Sequence, residues 1–411
     1  MRKCFSVAIA CLLTVGGLGV AAPSASAMVE SAVVVPTPNT TANQELLSVS
    51  CVDESFCVAV GSVREDTVLQ PLIISWDGNE WTSVPVPVIA AGVTTLLESV
   101  SCVSETFCVA VGFAEDYGSS QTVILVFDGN AWTRAASPAA SGWTLLRSVS
   151  CVSETACVTV GQVQVGTFQT LGLTWDGTTW AIQPTPNESP SGYNALFSVS
   201  CVSDSWCTAV GYHDLNTVNQ PMAALWNGAT WSAVPVPVAV PGVPNRFLSV
   251  SCTSPSSCFG VGNLDASAPS PFLLVWDGTS WSVGAIPGGG GSESQLSEVA
   301  CLAPDSCVAV GDILRESGGD AARILVWDGS EWTEVLPPVS AGLDSDRLES
   351  VSCVSPDWCF AVGERYRYSL DEELELELSL AMLLTGPEPP APTTTTTTPS
   401  SPDVVVPAFT G

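Results

Sequence analysis

Positive charge is the scarcest feature of this 411-residue chain. Its 11 lysine and arginine residues stand against 41 aspartate and glutamate residues, which gives a net charge of −30. A surface this acidic repels phosphate backbones and anionic membranes, so nucleic acid is excluded as a partner. The composition favours a protein that stays soluble outside the cell, or one that recruits cations or basic partners.

Motifs that carry catalysis are also missing. His213 is the only histidine, it has no serine or cysteine partner at a motif spacing, and no G-x-S-x-G segment occurs. No D-x-D-x-D-G loop supports calcium, although Asp344 and Asp346 keep a calcium site open as an alternative. We expect no cofactor and no nucleophilic catalysis.

What the chain has instead is a repeat. Its second copy, Leu97 to Gly112, contains two cysteines separated by five residues, and the motif occurs seven times at intervals of 49 to 52 residues. Repeats of this length made of short strands predict blades arranged around an axis. The sequence therefore predicts an all-β fold, a seven-bladed β-propeller.

The N-terminus and the cysteines together indicate export. Arg2 and Lys3 precede an apolar run and an Ala25-Ser26-Ala27 cleavage pattern, so residues 1–27 are predicted to be a signal peptide; a retained membrane anchor is the alternative. Cleavage leaves 14 of the 16 cysteines, and C-x5-C is not a zinc spacing, so each blade is predicted to hold one disulfide. The predicted pairs are Cys51–Cys57, Cys102–Cys108, Cys151–Cys157, Cys201–Cys207, Cys252–Cys258, Cys301–Cys307 and Cys353–Cys359.

Each unit divides into four strand-like runs. The first two flank the cysteine loop, and the last two flank an Asp-Gly turn, as in Trp76-Asp77-Gly78-Asn79-Glu80-Trp81. The two tryptophans emerge on one face, where we expect them to stack on each other and against the next blade. A sugar-binding aromatic platform is the alternative. Asp77 and its equivalents are expected to accept hydrogen bonds from local backbone N–H groups.

The seventh unit has only three runs, the last being the alternating segment from Leu374 to Leu380. Residues 30–36 resemble Trp81 to Pro87, a fourth run, and stand at the matching distance before the first cysteine of the repeat. We predict that the mature N-terminus supplies the outer strand of blade seven and closes the ring. The propeller would then span residues 28–386.

The Pro/Thr-rich segment 387–411 is predicted to be a disordered tail. It ends in Pro407 to Gly411, which resembles a cell-wall sorting pentapeptide, so wall attachment stays an alternative to simple secretion.

These motifs resemble secreted bacterial seven-bladed β-propellers whose units carry S-V-S-C-x5-C-x-A-V-G and W-D-G-x2-W. The turn is also distantly similar to the Asp-box of sialidase-group propellers, S-x-D-x-G-x-T-W, but aspartate and glycine are adjacent here. The resemblance covers about residues 28–386 and implies a ring-shaped binding scaffold, whose function must be argued from its site.

The loops between the second and third runs, and those leading into the next blade, vary while the other turns stay nearly constant. Variable loops on a constant scaffold commonly carry binding sites, so we place the site on this face, near the channel mouth. Charged residues of blades 6, 7 and 1 are expected along one arc, with arginines suited to a carboxylate. The candidate binding residues are Arg64, Asp116, Tyr117, Tyr212, His213, Arg315, Arg365, Tyr366, Arg367 and Asp371.

The sequence thus favours a secreted or cell-surface, non-catalytic binding or scaffold module. We expect a monomer without a membrane span after signal removal, with a protein or glycan as its partner. The alternative is a carbohydrate-active enzyme, a glycoside hydrolase or lyase, with its site at the channel mouth. An enzyme would need charged side chains from several blades to converge there, whereas a scaffold would leave them at the rim.

Overall fold

The structure is a computed structural model that describes residues 28–38, 43–89, 92–116, 118–138, 142–215, 218–266, 268–286, 293–315, 318–338, 344–368 and 374–387. The predicted signal peptide and nearly all of the predicted tail lie outside these residues. Every regular element among the described residues is a β-strand, so this part of the chain offers no helix that could cross a membrane.

The strands form seven antiparallel sheets of four strands each, which confirms the predicted seven-bladed propeller. Blade 7 consists of β26, β27, β28 and β1, and each of the other blades takes four consecutive strands. In chain order the strands are β1 (Ser31–Val35), β2 (Gln44–Asp53), β3 (Phe56–Glu65), β4 (Val68–Trp76), β5 (Trp81–Ser83), β6 (Thr94–Ser104), β7 (Phe107–Asp116), β8 (Ser119–Phe127), β9 (Trp132–Arg134), β10 (Thr144–Ser153), β11 (Ala156–Val165), β12 (Thr167–Trp175), β13 (Trp180–Gln183), β14 (Asn194–Ser203), β15 (Trp206–Leu215), β16 (Val218–Trp226), β17 (Trp231–Val234), β18 (Asn245–Ser254), β19 (Ser257–Leu264), β20 (Ser270–Trp276), β21 (Trp281–Gly284), β22 (Ser294–Ala303), β23 (Ser306–Leu314), β24 (Asp320–Trp327), β25 (Trp332–Val335), β26 (Ser345–Ser355), β27 (Trp358–Tyr368) and β28 (Leu374–Thr385).

The N-terminal strand closes the ring, as predicted. β1 pairs antiparallel with β28 along its full length, from Ser31 opposite Thr385 to Val35 opposite Ala381. The pairing covers the edge of β28 that would otherwise present unpaired N–H and C=O groups. One blade therefore contains both ends of the propeller.

All seven predicted disulfides form, one in each blade. Each joins the end of the inner strand to the start of the second strand; in blade 2, Cys102 and Cys108 face each other across the β6–β7 pair. The cross-link closes the loop that is nearly constant in the sequence.

The two serines of the S-V-S-C motif connect neighbouring blades, a role that the sequence analysis did not predict. Ser99 Oγ accepts a hydrogen bond from the backbone N–H of Val149, 3.2 Å away, and Ser101 Oγ accepts one from Cys151, 3.0 Å away. Equivalent bonds recur around the ring and give the unpaired edge of each inner strand partners in the adjacent blade.

The predicted aromatic pairs flank the Asp-Gly turn in five blades and the Asn227-Gly228 turn in blade 4, with ring centroids 5.4 to 5.7 Å apart. Their packing partner differs from the prediction. Trp76 and Trp81 of blade 1 contact Phe360 of blade 7, which is the preceding blade and not the next one. Each hydrophobic cluster likewise joins two neighbouring blades, so these aromatics are core residues and not an exposed platform.

The turn aspartates behave as predicted. Asp77 Oδ1 accepts hydrogen bonds from the backbone N–H groups of Asn79 and Glu80, at 2.9 and 3.0 Å. Gly78 has a φ of 93°, which an L-residue rarely adopts. The hydrogen bonds lower the pKa of the Asp77 carboxyl. The Asp-Gly sequence therefore serves the turn itself, on the face opposite the variable loops.

Candidate binding site at the mouth of the axial channel

Each inner strand contains a β-bulge that presents one side chain to the central channel. In blade 2 the register with β7 shifts between Leu97 and Ser99, which leaves Glu98 between them without a partner residue. A bulge re-aims the extra side chain. The seven bulged residues line one narrow space of about 110 Å³, and this bulge ring consists of Leu47, Glu98, Arg147, Phe197, Leu248, Ser297 and Glu349.

The channel widens above the bulge ring into a cavity of about 320 Å³, which we call the axial vestibule. Its additional lining side chains stand towards the variable-loop ends of the first and second strands of blades 5, 6 and 7. They are Asn263, Gln295, Asp312 and Arg347.

Charged side chains from four blades meet at this vestibule. Arg147 of blade 3 donates from Nη1 to Glu98 Oε1 of blade 2, over 2.5 Å, and its guanidinium lies 5.7 Å from the ring centre of Phe197 in blade 4. Asp312 of blade 6 and Glu349 of blade 7 line the opposite side. Charged side chains from several blades therefore converge here, which is the condition that the sequence analysis set for an enzyme.

Arg347 is also committed to a carboxylate. Its Nε and Nη2 donate to Asp320 Oδ2 over 2.8 and 2.6 Å, and its guanidinium lies 5.4 Å from the ring centre of Tyr366. Arg147 and Arg347 are thus each held by an acidic partner and an aromatic ring. Such pairs fix the orientation of the guanidinium before any ligand arrives.

Two vestibule carboxylates have no hydrogen-bond donor among the described residues. Burial raises the pKa of Asp312 to about 6, with Arg347 opposing the shift. Burial likewise raises the pKa of Glu349 to about 7, and the carboxylates of Glu364 and Asp312 add to the shift. Acidic groups crowded in a poorly solvated space resist ionisation, and a bound cation or a proton would relieve them.

A second acidic group lies where blades 7 and 1 meet. One carboxylate oxygen from each of Glu45, Glu364 and Glu377 lies within 4.8 Å of the others. Ser62 donates to Glu45 over 2.7 Å, and the Tyr366 hydroxyl donates to Glu364 over 2.5 Å. Burial, and then Glu364, raises the pKa of Glu377 to about 7. Oxygen ligands of this kind suit a hard cation, but the internal donors already serve two of them.

The structure brings several predicted binding residues together on blades 6 and 7. Arg365 binds Asp346 through two hydrogen bonds, of 2.5 and 3.0 Å, and Arg315 Nη2 donates to the backbone oxygens of Asp320 and Asp344. Arg367 Nε is 3.9 Å from Asp344 Oδ2. These arginines hold the ends of neighbouring strands together and do not project free towards a ligand. The guanidinium on Asp346 also competes with a calcium ion there.

The other predicted residues are dispersed. Arg64 is exposed near the end of β3, where its charge acts on Glu45 and Glu377. Asp116 is exposed at the end of β7, away from the vestibule lining. Tyr117 and Asp371 lie outside the described residues.

Tyr212 and His213 lie beside the aromatic wall of the vestibule. The Tyr212 ring stacks on Tyr193 and on Phe197, with centroids 5.3 Å apart in both pairs. Burial lowers the pKa of His213, against the charges of Glu188 and Asp214, and its Nδ1 has no hydrogen-bond partner among the described residues. The lowered pKa disfavours the charged form of His213, so this residue is a poor candidate for a charge-based contact.

Sequence reasoning missed most of the vestibule lining, although a signal was present. The bulged residue is the variable position inside the constant motif L-x-S-V-S-C, and it carries the charges of Glu98, Arg147 and Glu349. Asp312 occupies a second such position, directly after the glycine of A-V-G. A position that varies within a nearly constant strand does not have to fill the same packing space in every blade, so its side chain can carry a functional group.

A separate cleft of about 690 Å³ opens between blades 3 and 4 on the disulfide face. Its floor includes Trp226, and its sides include Ala156 and Val158 of β11. Blade 7 has Trp358 and Phe360 at the equivalent positions of β27, and Phe360 packs on the tryptophan pair of blade 1. The cleft thus coincides with two smaller residues at the positions where blade 7 has two aromatic ones.

Comparison with known proteins supports the fold only. No protein-family model matches the chain, and no curated protein matches it. Among solved structures, "YCF48 bound to D1 peptide" is similar, with 14% identity and a TM-score of 0.54 over 89% of this chain and 99% of that one. At this identity the likeness shows a shared β-propeller and nothing finer.

Two carbohydrate-active propellers are similar to a comparable degree. An ulvan lyase of polysaccharide lyase family PL25 has 11% identity and a TM-score of 0.51, over 88% of this chain and 94% of that one. The GH74 xyloglucanase of Xanthomonas campestris has 12% identity and a TM-score of 0.50, over 84% of this chain and 55% of that one. Binding proteins and enzymes therefore share this fold, and the site must decide between them.

Proposed function

We propose that this protein is an exported, non-catalytic binding module that recognises its partner through the axial vestibule. The seven disulfides support an oxidising, extracellular location. The observation that carries the proposal is the convergence of Glu98, Arg147, Asp312 and Glu349 on one small cavity. Strands of a rigid ring hold these side chains, which lowers the cost of ordering them on binding.

The size of the vestibule favours binding over turnover of a polysaccharide. Its volume of about 320 Å³ lies near the lower end of the range for small-molecule sites, roughly 300 to 1,000 Å³. A chain-cleaving enzyme holds sugar rings on both sides of the broken bond. This space suits one side chain or one ring, as expected for a recognition pocket.

One observation keeps the enzyme as the second candidate. Asp312 and Glu349, with pKa values raised to about 6 and about 7, have the titration range of a general acid. If a glycan reaches these two carboxyl groups, they could serve as the carboxyl pair of a glycoside hydrolase. In a lyase they would instead serve as an acid and a base. Turnover of a bound glycan decides between the two candidates.

The test is binding of the full-length chain, made in an oxidising compartment, to peptide and glycan arrays. Ser297→Trp should abolish binding, because the indole would fill the vestibule that Ser297 lines. The control is Glu331→Gln, an exposed charge change at the Asp-Gly turn of blade 6, on the opposite face. Retained binding by Ser297→Trp would overturn the assignment of the vestibule, and cleavage of a bound glycan would overturn the non-catalytic role.

A further inference from the structure

The vestibule contains a carboxylate that the protein itself leaves unsatisfied. Asp312 is only 8% exposed, lines the cavity, and has no hydrogen-bond partner among the described residues. Buried polar groups are nearly always paired, and a buried carboxylate without a donor is costly. The nearby charges of Asp320 and Glu364 add to that cost. A group held in this state is suited to receive a donor from outside the chain.

The charges around Asp312 indicate whether its missing hydrogen-bond donor is neutral or cationic. Arg147 is paired with Glu98, Arg347 with Asp320, and each pair involves hydrogen bonds shorter than 3 Å. Glu349 and Asp312 have no hydrogen-bonded partner among the described residues and receive only the charge of Arg347, which is already bonded to Asp320, so negative charge is in excess in the vestibule. A cationic group is therefore the complementary occupant, and the overall charge of −30 would steer it towards the protein.

The apolar side of the vestibule gives the occupant its second property. Phe197 and Leu248 of blades 4 and 5 face the same cavity as Asp312 and Glu349 of blades 6 and 7. Tyr212 extends this wall by stacking on Phe197. An occupant that satisfies both walls has an apolar stem and a charged tip, as lysine and arginine side chains have.

A bare metal ion fits the vestibule less well. Calcium and magnesium take several oxygen ligands at short distances, and apolar side chains provide no such ligand. Among the described residues, the carboxylates that approach one another closely enough are Glu45, Glu364 and Glu377, whereas neither Asp312 nor Glu349 belongs to such a group of three. The vestibule therefore does not offer a metal ion the third close carboxylate that this other cluster has.

We propose, building on the binding function above, that the axial vestibule receives an arginine or lysine side chain of a protein partner. Asp312 and Glu349 bind its cationic tip, and its methylene stem lies against Phe197 and Leu248. Binding of this kind needs no covalent step, and discrimination comes from the buried carboxylate, which a charged donor stabilises more strongly than a neutral one.

The test uses Nα-acetyl-arginine amide and Nα-acetyl-citrulline amide as probes of the full-length chain, because citrulline has nearly the same shape without the charge. Titration calorimetry or protein-observed NMR should show at least tenfold weaker binding for citrulline. Asp312→Asn, which keeps the side-chain shape, should weaken arginine binding at least tenfold, and Glu331→Gln should leave it unchanged. Equal binding of the two probes, or full binding by Asp312→Asn, would overturn the proposal.

The array experiment separates this inference from the broader function. A neutral glycan or peptide that binds, and is lost in Ser297→Trp, would support the binding module and overturn the cationic occupant. The last probe is calcium chloride alone. If calcium binds the parent protein but not Asp312→Asn, the ligand of the vestibule is the metal ion and not an arginine or lysine side chain of a partner. Calcium binding that is unaffected by Asp312→Asn would assign the ion elsewhere and agree with the proposal.

Discussion

Ser48 Oγ in blade 1 accepts a hydrogen bond from the backbone N–H of Val100 in blade 2, 3.1 Å away. The same bond links the other inner strands, with one change: in blade 6, Glu298 replaces the serine and its Oε2 accepts from Val351 over 2.8 Å. The second serine of the motif makes a parallel set of bonds to the cysteine N–H groups, but blade 6 has Ala300 at that position. The junction between blades 6 and 7 is therefore the one with an incomplete pair.

Completing that junction should stabilise the protein. Ala300→Ser places a hydroxyl where it can accept from the backbone N–H of Cys353, as Ser251 does for Cys301. A net gain of about 1 kcal/mol in the free energy of unfolding is expected, and Ser251→Ala should lose a similar amount. Equilibrium urea unfolding measures both. A destabilised Ala300→Ser variant would show that the junction cannot accommodate the hydroxyl.

Filling the cleft between blades 3 and 4 should also stabilise the ring. Val158 is 6% exposed beside Trp226, and Phe360 provides the precedent for an aromatic residue at the equivalent position. Val158→Phe is expected to add about 1 kcal/mol through extra apolar burial, provided that the ring enters the cleft without strain. The matched reverse change, Phe360→Val, should cost about 1 to 3 kcal/mol. Calorimetric melting tests both, and a lower melting temperature for Val158→Phe would contradict this account of the cleft.

Stability should decrease as the pH rises from about 5 to 8. Burial raises the pKa of Glu298, Glu349 and Glu377 to about 7, above the value near 4.3 that glutamate has in an unfolded chain. The folded state therefore binds more protons in this interval, and the stability that they contribute is lost as the pH passes the folded values. Glu349→Gln should flatten the profile of melting temperature against pH. An unchanged slope in this variant would show that Glu349 titrates normally.

The opposite sign applies at low pH. Turn hydrogen bonds lower the pKa of Asp176 and Asp277 to about 2, so the stability that they contribute is present above the unfolded value near 3.9 and is lost as the pH falls towards 2. Together the two groups of carboxyls predict a stability maximum near pH 5. Asp277→Asn should make the loss of stability at low pH smaller. Near pH 7 the substitution should change the stability only through the hydrogen bonds of the turn.

Removing the closing strand should damage the whole ring. A chain that begins at residue 37 lacks β1 and exposes the edge of β28 from Ala381 to Thr385. We expect a large loss of stability together with association through the open edge, because unpaired strand edges recruit other chains. Melting and size-exclusion chromatography measure these two effects. A monomer with parental stability would mean that β1 is not needed for closure; a chain that keeps β1 but carries Val33→Thr, at an exposed position, is the control.

The sequence by itself determined the architecture, because the architecture repeats. Seven copies of the cysteine motif predicted the blades, the Asp-Gly hairpins predicted the outer strands, and residues 30–36 predicted the closing strand. These features depend on contacts between residues that are close in sequence or identical in every unit. Because the pattern repeats, each unit predicts the strands of its blade independently.

The tertiary structure alone decided what meets at the axis. The bulge turned Glu98, Arg147 and Glu349 into the channel, although these residues are far apart in the chain and belong to different blades. Folding also paired Arg365 with Asp346, outside the lining of the vestibule. The burial and mutual repulsion that set the pKa values of Asp312 and Glu349 arise only when the ring closes, because they depend on the distances between blades and not on the order of residues within one.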